Sequence, residues 1–286
     1  LLWQEREEYR LVQGHDLPAD VPKELNSAQR EALAAIEKSG DRCQALQQGQ
    51  TLVLHGVTGS GKTEVYLQAI EPCLAARQSA LVLVPEIALT PQLTDRFQQR
   101  FGQQVVVYHS GLSQGERYDT WRTLLSGVPY VVIGTRSAVF APLPNLGIII
   151  LDEEHDSSFK QDHPMPCYHA RTVAQWRSQF CHCVLVLGSA TPALETWVTS
   201  AHDRLLQDDP EPPTPRYLSL PQRIYDRPHP EVEVVDMRQE LHRGNRSLFS
   251  HALRTALQQM KDQGQQGLLF VPRRGYSTFV SCRSCG

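Results

Sequence analysis

Eight consecutive residues, Gly56-Val57-Thr58-Gly59-Ser60-Gly61-Lys62-Thr63, match the pattern G-x-x-x-x-G-K-[ST] in full. Glycines at this spacing let successive backbone N–H groups curl around an anion, and a helix opening at the lysine adds its positive dipole end. Lys62 is long enough to reach the β- and γ-oxygens of a triphosphate, and the Thr63 hydroxyl is a Mg²⁺ ligand. A second group, Asp152-Glu153-Glu154-His155, follows Ile148-Ile149-Ile150-Leu151. Four successive aliphatics predict a strand buried on both faces, with the acids at its carboxyl end, where open α/β sheets bind ligands. There Asp152 holds the Mg²⁺ shell and Glu153 orients and deprotonates an attacking water. Lys62, Asp152 and Glu153 are thus the expected catalytic set, and ATP with Mg²⁺ the expected ligands. A third group, Ser189-Ala190-Thr191, follows Val184-Leu185-Val186-Leu187. The hydroxyls of Ser189 and Thr191 can either sense Glu154 and His155 through hydrogen bonds or simply cap a strand-to-helix turn.

These residues need a scaffold that brings strand ends together, and the sequence between 51 and 188 supplies one. Its apolar runs are Thr51-Leu52-Val53-Leu54, Ala80-Leu81-Val82-Leu83-Val84, Val105-Val106-Val107-Tyr108, Tyr130-Val131-Val132-Ile133, Ile148 to Leu151 and Val184 to Leu187. Amphipathic stretches such as 63–75 and 91–101 separate them, so the pattern predicts an α/β fold with a parallel sheet covered by helices. Composition then shifts to Asp208-Asp209-Pro210-Glu211-Pro212-Pro213-Thr214-Pro215, a semi-rigid connector, followed by a loop-like stretch from Pro221 to Pro230. A second strand-helix-strand pattern begins at Val232-Glu233-Val234-Val235, with a helix over 250–263 and the strand Gly267-Leu268-Leu269-Phe270-Val271. The expected division is 1–24 as a lead-in, 25–207 as the ATP-binding lobe, 208–231 as a Pro-rich linker and 232–286 as the opening of a second lobe.

The 286 residues are 41% hydrophobic and 21% charged, too apolar for a disordered chain. No apolar run approaches the roughly 18 residues of a membrane span. The charged start, Leu1-Leu2-Trp3-Gln4-Glu5-Arg6, has no signal-peptide core, so the expected compartment is cytoplasmic. A net charge of −3 gives no global positive field, though a nucleic-acid groove can be basic locally. Seven cysteines, mostly scattered in apolar contexts, read as reduced thiols. A start at Leu1 and a stop after Cys285-Gly286 read as a piece of something longer.

The three groups resemble motifs I, II and III of superfamily 2 helicases, and Leu25-Asn26-Ser27-Ala28-Gln29 resembles their adenine-reading Gln motif. Several longer stretches are similar to the bacterial primosomal replication-restart helicases. They include 84–92 (VPEIALTPQ), 134–142 (GTRSAVFAP), Asp152 to Gln161 and 269–276 (LFVPRRGY). The resemblance implies a RecA-like lobe 1 and the start of lobe 2 from a DEEH-box, 3′-to-5′ DNA helicase acting on forked or single-stranded DNA, with primosome and single-strand-binding proteins as partners. It implies that Gln29 contacts adenine and that Glu86, Thr90, Thr135, Arg136 and Ser137 face DNA. Arg136, taken without the family, is equally a surface salt bridge. The alternatives are a nucleotide-binding assembly platform that does not unwind, and a RecG-like translocase.

Two features depart from the family. Cys167-Tyr168-His169-Ala170-Arg171-Thr172 puts Cys and Thr where Arg and Asp are usual, and His163-Pro164-Met165-Pro166 makes an unusual loop in the segment that resembles the family's aromatic-rich coupling loop. Cys282 and Cys285 form half of a zinc site, which the family completes in the full-length protein; two ligands do not hold Zn²⁺ stably. Cys181-His182-Cys183 leads into an apolar run and reads as packing. Helicase catalysis generally takes an arginine from the facing lobe, so this chain alone is expected to be nearly inactive.

Overall fold

The computed structural model describes residues 20–205, 216–224 and 231–270. Each apolar run becomes a parallel strand: β1 (Gln50–Gly56), β2 (Ser79–Leu83), β3 (Val105–Tyr108), β4 (Val131–Gly134), β5 (Leu146–Asp152) and β8 (Val184–Ser189). The helices between them are α2 (Lys62–Ala75), α3 (Pro91–Phe101), α4 (Gln114–Leu125) and α5 (Ala170–Cys181), with α1 (Ser27–Leu46) before β1 and α6 (Leu194–Leu205) after β8. Continuous aliphatic runs fit because both sheet faces are covered. On β5, Ile148 and Ile150 pack in the core under α1, α2 and α3, while Ile149 and Leu151 pack in the other, under α4 and α5.

The sheet has seven strands in the order β3-β4-β2-β5-β8-β1-β9, all parallel. The seventh, β9 (Arg216–Leu220), lies inside the stretch expected to be linker and pairs with β1 from Leu52↔Arg216 to Gly56↔Leu220. It is an edge strand, so only Leu218 and Leu220 are buried and its run alternates. The strand order places β8 between β1 and β5, so the carboxyl ends of β1 and β5, which carry the two principal motifs, open on one rim. A small antiparallel hairpin, β6 (Lys160–Gln161) with β7 (Tyr168–His169), carries the Pro-rich loop; Gln161 Nε2 donates to the carbonyls of Pro164 (2.9 Å) and Pro166 (3.1 Å).

Contacts divide the chain into Leu1–Arg227 and Pro228–Gly286. In the second unit, α7 (Met237–His242) precedes α8 (His251–Asp262), which Ser250 caps, as the 250–263 pattern predicts. Glu240 ties the turn between them by accepting from Asn245 Nδ2 (2.6 Å) and the His251 N–H (2.9 Å). The two strands expected here do not form among the described residues. Val234 is 91% exposed and Leu268 97%, and a β-segment without a paired edge has no stability of its own. Val271, the tail to Tyr276, Cys282 and Cys285 lie outside the described residues, as do 1–19. Among the described residues no helix is long and apolar enough to cross a membrane.

Gly188, where β8 passes between the two motif-bearing strands, is the tightest point of the rim. A Cβ there would fall 1.7 Å from the Tyr66 hydroxyl and 3.1 Å from Asp152 Oδ1. Gly188→Ala is expected to lower unfolding free energy by about 1–3 kcal/mol, measured by urea denaturation. An unchanged midpoint contradicts this packing.

Candidate nucleotide-binding site

The phosphate loop starts where β1 runs out at Gly56. Gly59 (φ +82°) and Gly61 (φ +81°) adopt left-handed backbone that side-chain-bearing residues resist, the kind of turn that lets successive N–H groups converge on an anion. Gly56 and Gly61 are also needed for space: a Cβ on Gly56 would lie 2.5 Å from Ser60 Oγ, and one on Gly61 2.4 Å from Gln29 Nε2. The Lys62 side chain folds back over the loop. Its ammonium donates to the Gly56 carbonyl at 3.0 Å and stands 3.6 Å from Glu153 Oε1, and the residue is only 9% exposed. Ser60 Oγ is buried with no partner among the described residues. A glycine-turned loop before a helix N-terminus, a buried hydroxyl with spare capacity and a buried cation together fit a phosphate chain.

The acids arrive from β5. Asp152 pairs in register with Gly188 and accepts a hydrogen bond from the Tyr66 hydroxyl at 2.8 Å, one turn into α2. Burial, helped by the neighbouring Glu153 charge, pushes the Asp152 carboxyl up to about 6, against the opposing pull of Tyr66 and Lys62. Glu153 takes φ +49°, a strained backbone for a residue with a side chain. That turn points Glu153 back across the rim, where it meets Lys62 on one side and His155 Nδ1 (3.7 Å) on the other. Residues 90 apart in sequence therefore line one cleft of about 1010 Å³, with Thr58, Lys62 and Thr63 on one wall and Asp152 and Glu153 on another. Thr63 hydroxyl and Asp152 carboxylate are hard oxygen donors of the kind that suits Mg²⁺.

Glu154 and His155 face the third motif. His155 Nδ1 is 2.8 Å from Ser189 Oγ, which also accepts the Thr191 N–H at 2.9 Å, and Thr191 Oγ1 lies 3.4 Å from His155 Nε2. Ser189 thus both caps the turn and contacts His155. Glu154 is 1% exposed, and its carboxylate accepts from Arg171 Nη1 (2.8 Å), Thr196 Oγ1 (3.0 Å) and the Ala193 N–H (2.6 Å).

Gln29 lies on the cleft wall, with its side chain already engaged. It donates to the Ser60 carbonyl (2.9 Å) and accepts the Asn26 N–H (2.9 Å), so it braces the phosphate loop and caps α1 at once. Of the residues expected to face DNA, Glu86 is exposed, Thr90 caps α3 and Ser137 is half-buried. Thr135 is 4% exposed, so its side chain is not offered to a strand. Among the described residues Arg136 makes no salt bridge; its Nη1 donates to the Lys160 (2.7 Å) and Ser158 (3.3 Å) carbonyls and pins the segment after the acidic motif.

Tyr66, Arg171, Thr196, Arg223 and Ile224 belong to this site or its supports and were not assigned from sequence. A tyrosine inside an apolar helix reads as core, and nothing in the spacing links residue 224 to residue 59. Arg171 lies in the stretch Cys167–Thr172, where a charged residue close behind the acidic motif was the available signal.

The chain belongs to the DEAD/DEAH box helicase family, whose family model matches residues 26–198, from the α1 cap into α6. More narrowly, it is 59% identical over 99% of its length to the replication restart protein PriA of Synechocystis sp. and 49% identical over 93% to that of Bacillus subtilis. It spans about a third of the length of these relatives, 32% and 31% respectively. Among solved structures it is similar to RecG bound to a three-way DNA junction, at 21% identity and a TM-score of 0.47, over 85% of this chain and 32% of that one.

The raised Asp152 carboxyl has a pH consequence. The native state holds this proton to a higher pH than the unfolded chain, so stability falls as pH rises from about 4 through about 6. In chelator-treated, nucleotide-free protein, Asp152→Asn should raise unfolding free energy at pH 7.5 by about 1–2 kcal/mol, a gain that disappears at pH 4. A variant that is less stable at pH 7.5 overturns that assignment.

Proposed function

We propose that the chain is the ATP-hydrolysing lobe of a cytoplasmic replication-restart DNA helicase, which couples hydrolysis to 3′-to-5′ translocation and unwinding at forked DNA during primosome assembly. The observation that carries the proposal is the facing pair Lys62 and Glu153, 3.6 Å apart across one cleft though they come from separate strands. The similarity to replication restart proteins supports the substrate and the biological setting.

The backbone N–H groups of Thr58, Gly59, Gly61, Lys62 and Thr63 bind the phosphate chain, and Lys62 exchanges its Gly56 and Glu153 contacts for the β- and γ-oxygens. Thr63 and Asp152 would hold Mg²⁺, which when bound neutralises developing phosphate charge. Tyr66 fixes the Asp152 carboxylate, and Gly188 leaves the room that Tyr66 requires. Glu153, freed from Lys62, orients water and takes its proton; His155 stands at its other oxygen and carries the change to Ser189 and Thr191. Glu154 joins the same strand end to α5 through Arg171 and to α6 through Thr196, so a shift at the acids moves both helices. The β6–β7 hairpin follows next along the chain, Arg136 is bonded to its first strand, and the two are the proposed link to the DNA strand.

In the full-length protein, Glu153→Gln should lower ATP turnover by about 10²–10⁴-fold while leaving ATP affinity within about threefold. Steady-state ATPase and equilibrium nucleotide binding measure the two quantities. Undiminished turnover removes Glu153 from the mechanism. A wild-type protein that binds forks and hydrolyses ATP without displacing a strand would favour an assembly platform instead.

A further inference from the structure

The segment that follows β9 lies against the phosphate loop. Val57 N–H donates to the Leu220 carbonyl at 3.2 Å, and Ile224 N–H donates to the Gly59 carbonyl at 3.0 Å, so both ends of Pro221–Arg223 are fastened to the loop. Gln222, Arg223 and Ile224 line the same cleft as Lys62 and Asp152. Ile224 is a large aliphatic left 38% exposed there. It approaches the point above Gly61 that Gln29 also approaches: a Cβ built on Gly61 would be 2.8 Å from Ile224 Cδ1 and 2.4 Å from Gln29 Nε2. An amide edge and an apolar face converging beside a helix N-terminus suit a flat heteroaromatic ring that carries hydrogen-bonding groups. Arg223 adds a cation whose Nε is buried without a partner among the described residues, beside Gly59 of the loop. A buried guanidinium donor left open is costly unless an anion completes it.

We propose that Gln222–Ile224 forms a nucleotide-reading wall, in which Ile224 packs on the base face and Arg223 pairs with the phosphate chain. The proposal rests on the nucleotide site described above and adds to it the residues that separate base recognition from phosphate recognition. It also gives the chain leading into the second unit a direct contact with bound nucleotide.

The test is equilibrium binding of two probes, Mg·ATP and Mg·tripolyphosphate, to wild-type protein and to Ile224→Ala and Arg223→Ala. Both side chains are partly exposed, so neither truncation opens a core cavity. Ile224→Ala should weaken ATP about tenfold and leave tripolyphosphate unchanged. Arg223→Ala should weaken both probes about tenfold or more. Unchanged ATP affinity in Ile224→Ala, or equal weakening of both probes, overturns the base contact. An Arg223→Ala effect confined to ATP overturns the phosphate assignment. Wild-type protein that binds neither probe overturns the nucleotide site itself, and the wall with it.

Discussion

A lysine ammonium held nine-tenths inside the protein constrains everything around it. Lys62 reaches a carbonyl on β1 and a carboxylate at the end of β5, and a cation in so little water persists only while oxygen atoms surround it. Those oxygens come from two strands that are not neighbours: β8 lies between them, and its Gly188 must be small because Tyr66 and Asp152 meet over it. The left-handed glycines of the loop and the strained Glu153 are the local backbone cost of bringing opposite charges to face each other across a cleft. The parallel sheet is the device that makes this affordable, since two packed cores hold the strand ends in register.

From that centre, polar contacts lead outward in two directions. Glu153 touches His155, which touches Ser189 and Thr191 at the end of β8. Glu154, wholly buried, is the junction of α5 and α6 through Arg171 and Thr196. A buried carboxylate that accepts from three donors is held in one orientation and fixes the two helices to the strand end. On the opposite side of the loop, Ile224 and Leu220 attach the chain beyond β9 to Gly59 and Val57. The phosphate loop is therefore the hub of both paths.

Much of this is legible in the residues. Uninterrupted aliphatic runs at 51, 80, 105, 130, 148 and 184 have no stable alternative to burial on both faces, and each is a strand. The two charged motifs at strand ends follow from the same logic. The edge strand β9 escaped because Arg216-Tyr217-Leu218-Ser219-Leu220 alternates and sits beside a Pro-rich stretch, where half-burial and linker composition look alike. Among the described residues, 232–235 and 267–270 show the converse: β-rich residues do not make a strand without an edge to pair with. Within the site, a place in the cleft was readable where a residue type is chemically committed, as with Lys62 and Asp152. Contacts that only tertiary placement sets were hidden, as with Tyr66, Arg136, Arg223 and the bracing bonds of Gln29.

The central claim is that Lys62 and the β5 acids share one triphosphate. A crystal structure of the protein with Mg²⁺ and a non-hydrolysable ATP analogue tests it most directly. The expected result has Lys62 Nζ about 2.7–2.9 Å from a β- or γ-phosphate oxygen, having left Glu153, and the metal about 2.0–2.1 Å from the Thr63 hydroxyl. A triphosphate bound elsewhere, with Lys62 still on the Gly56 carbonyl, contradicts the account.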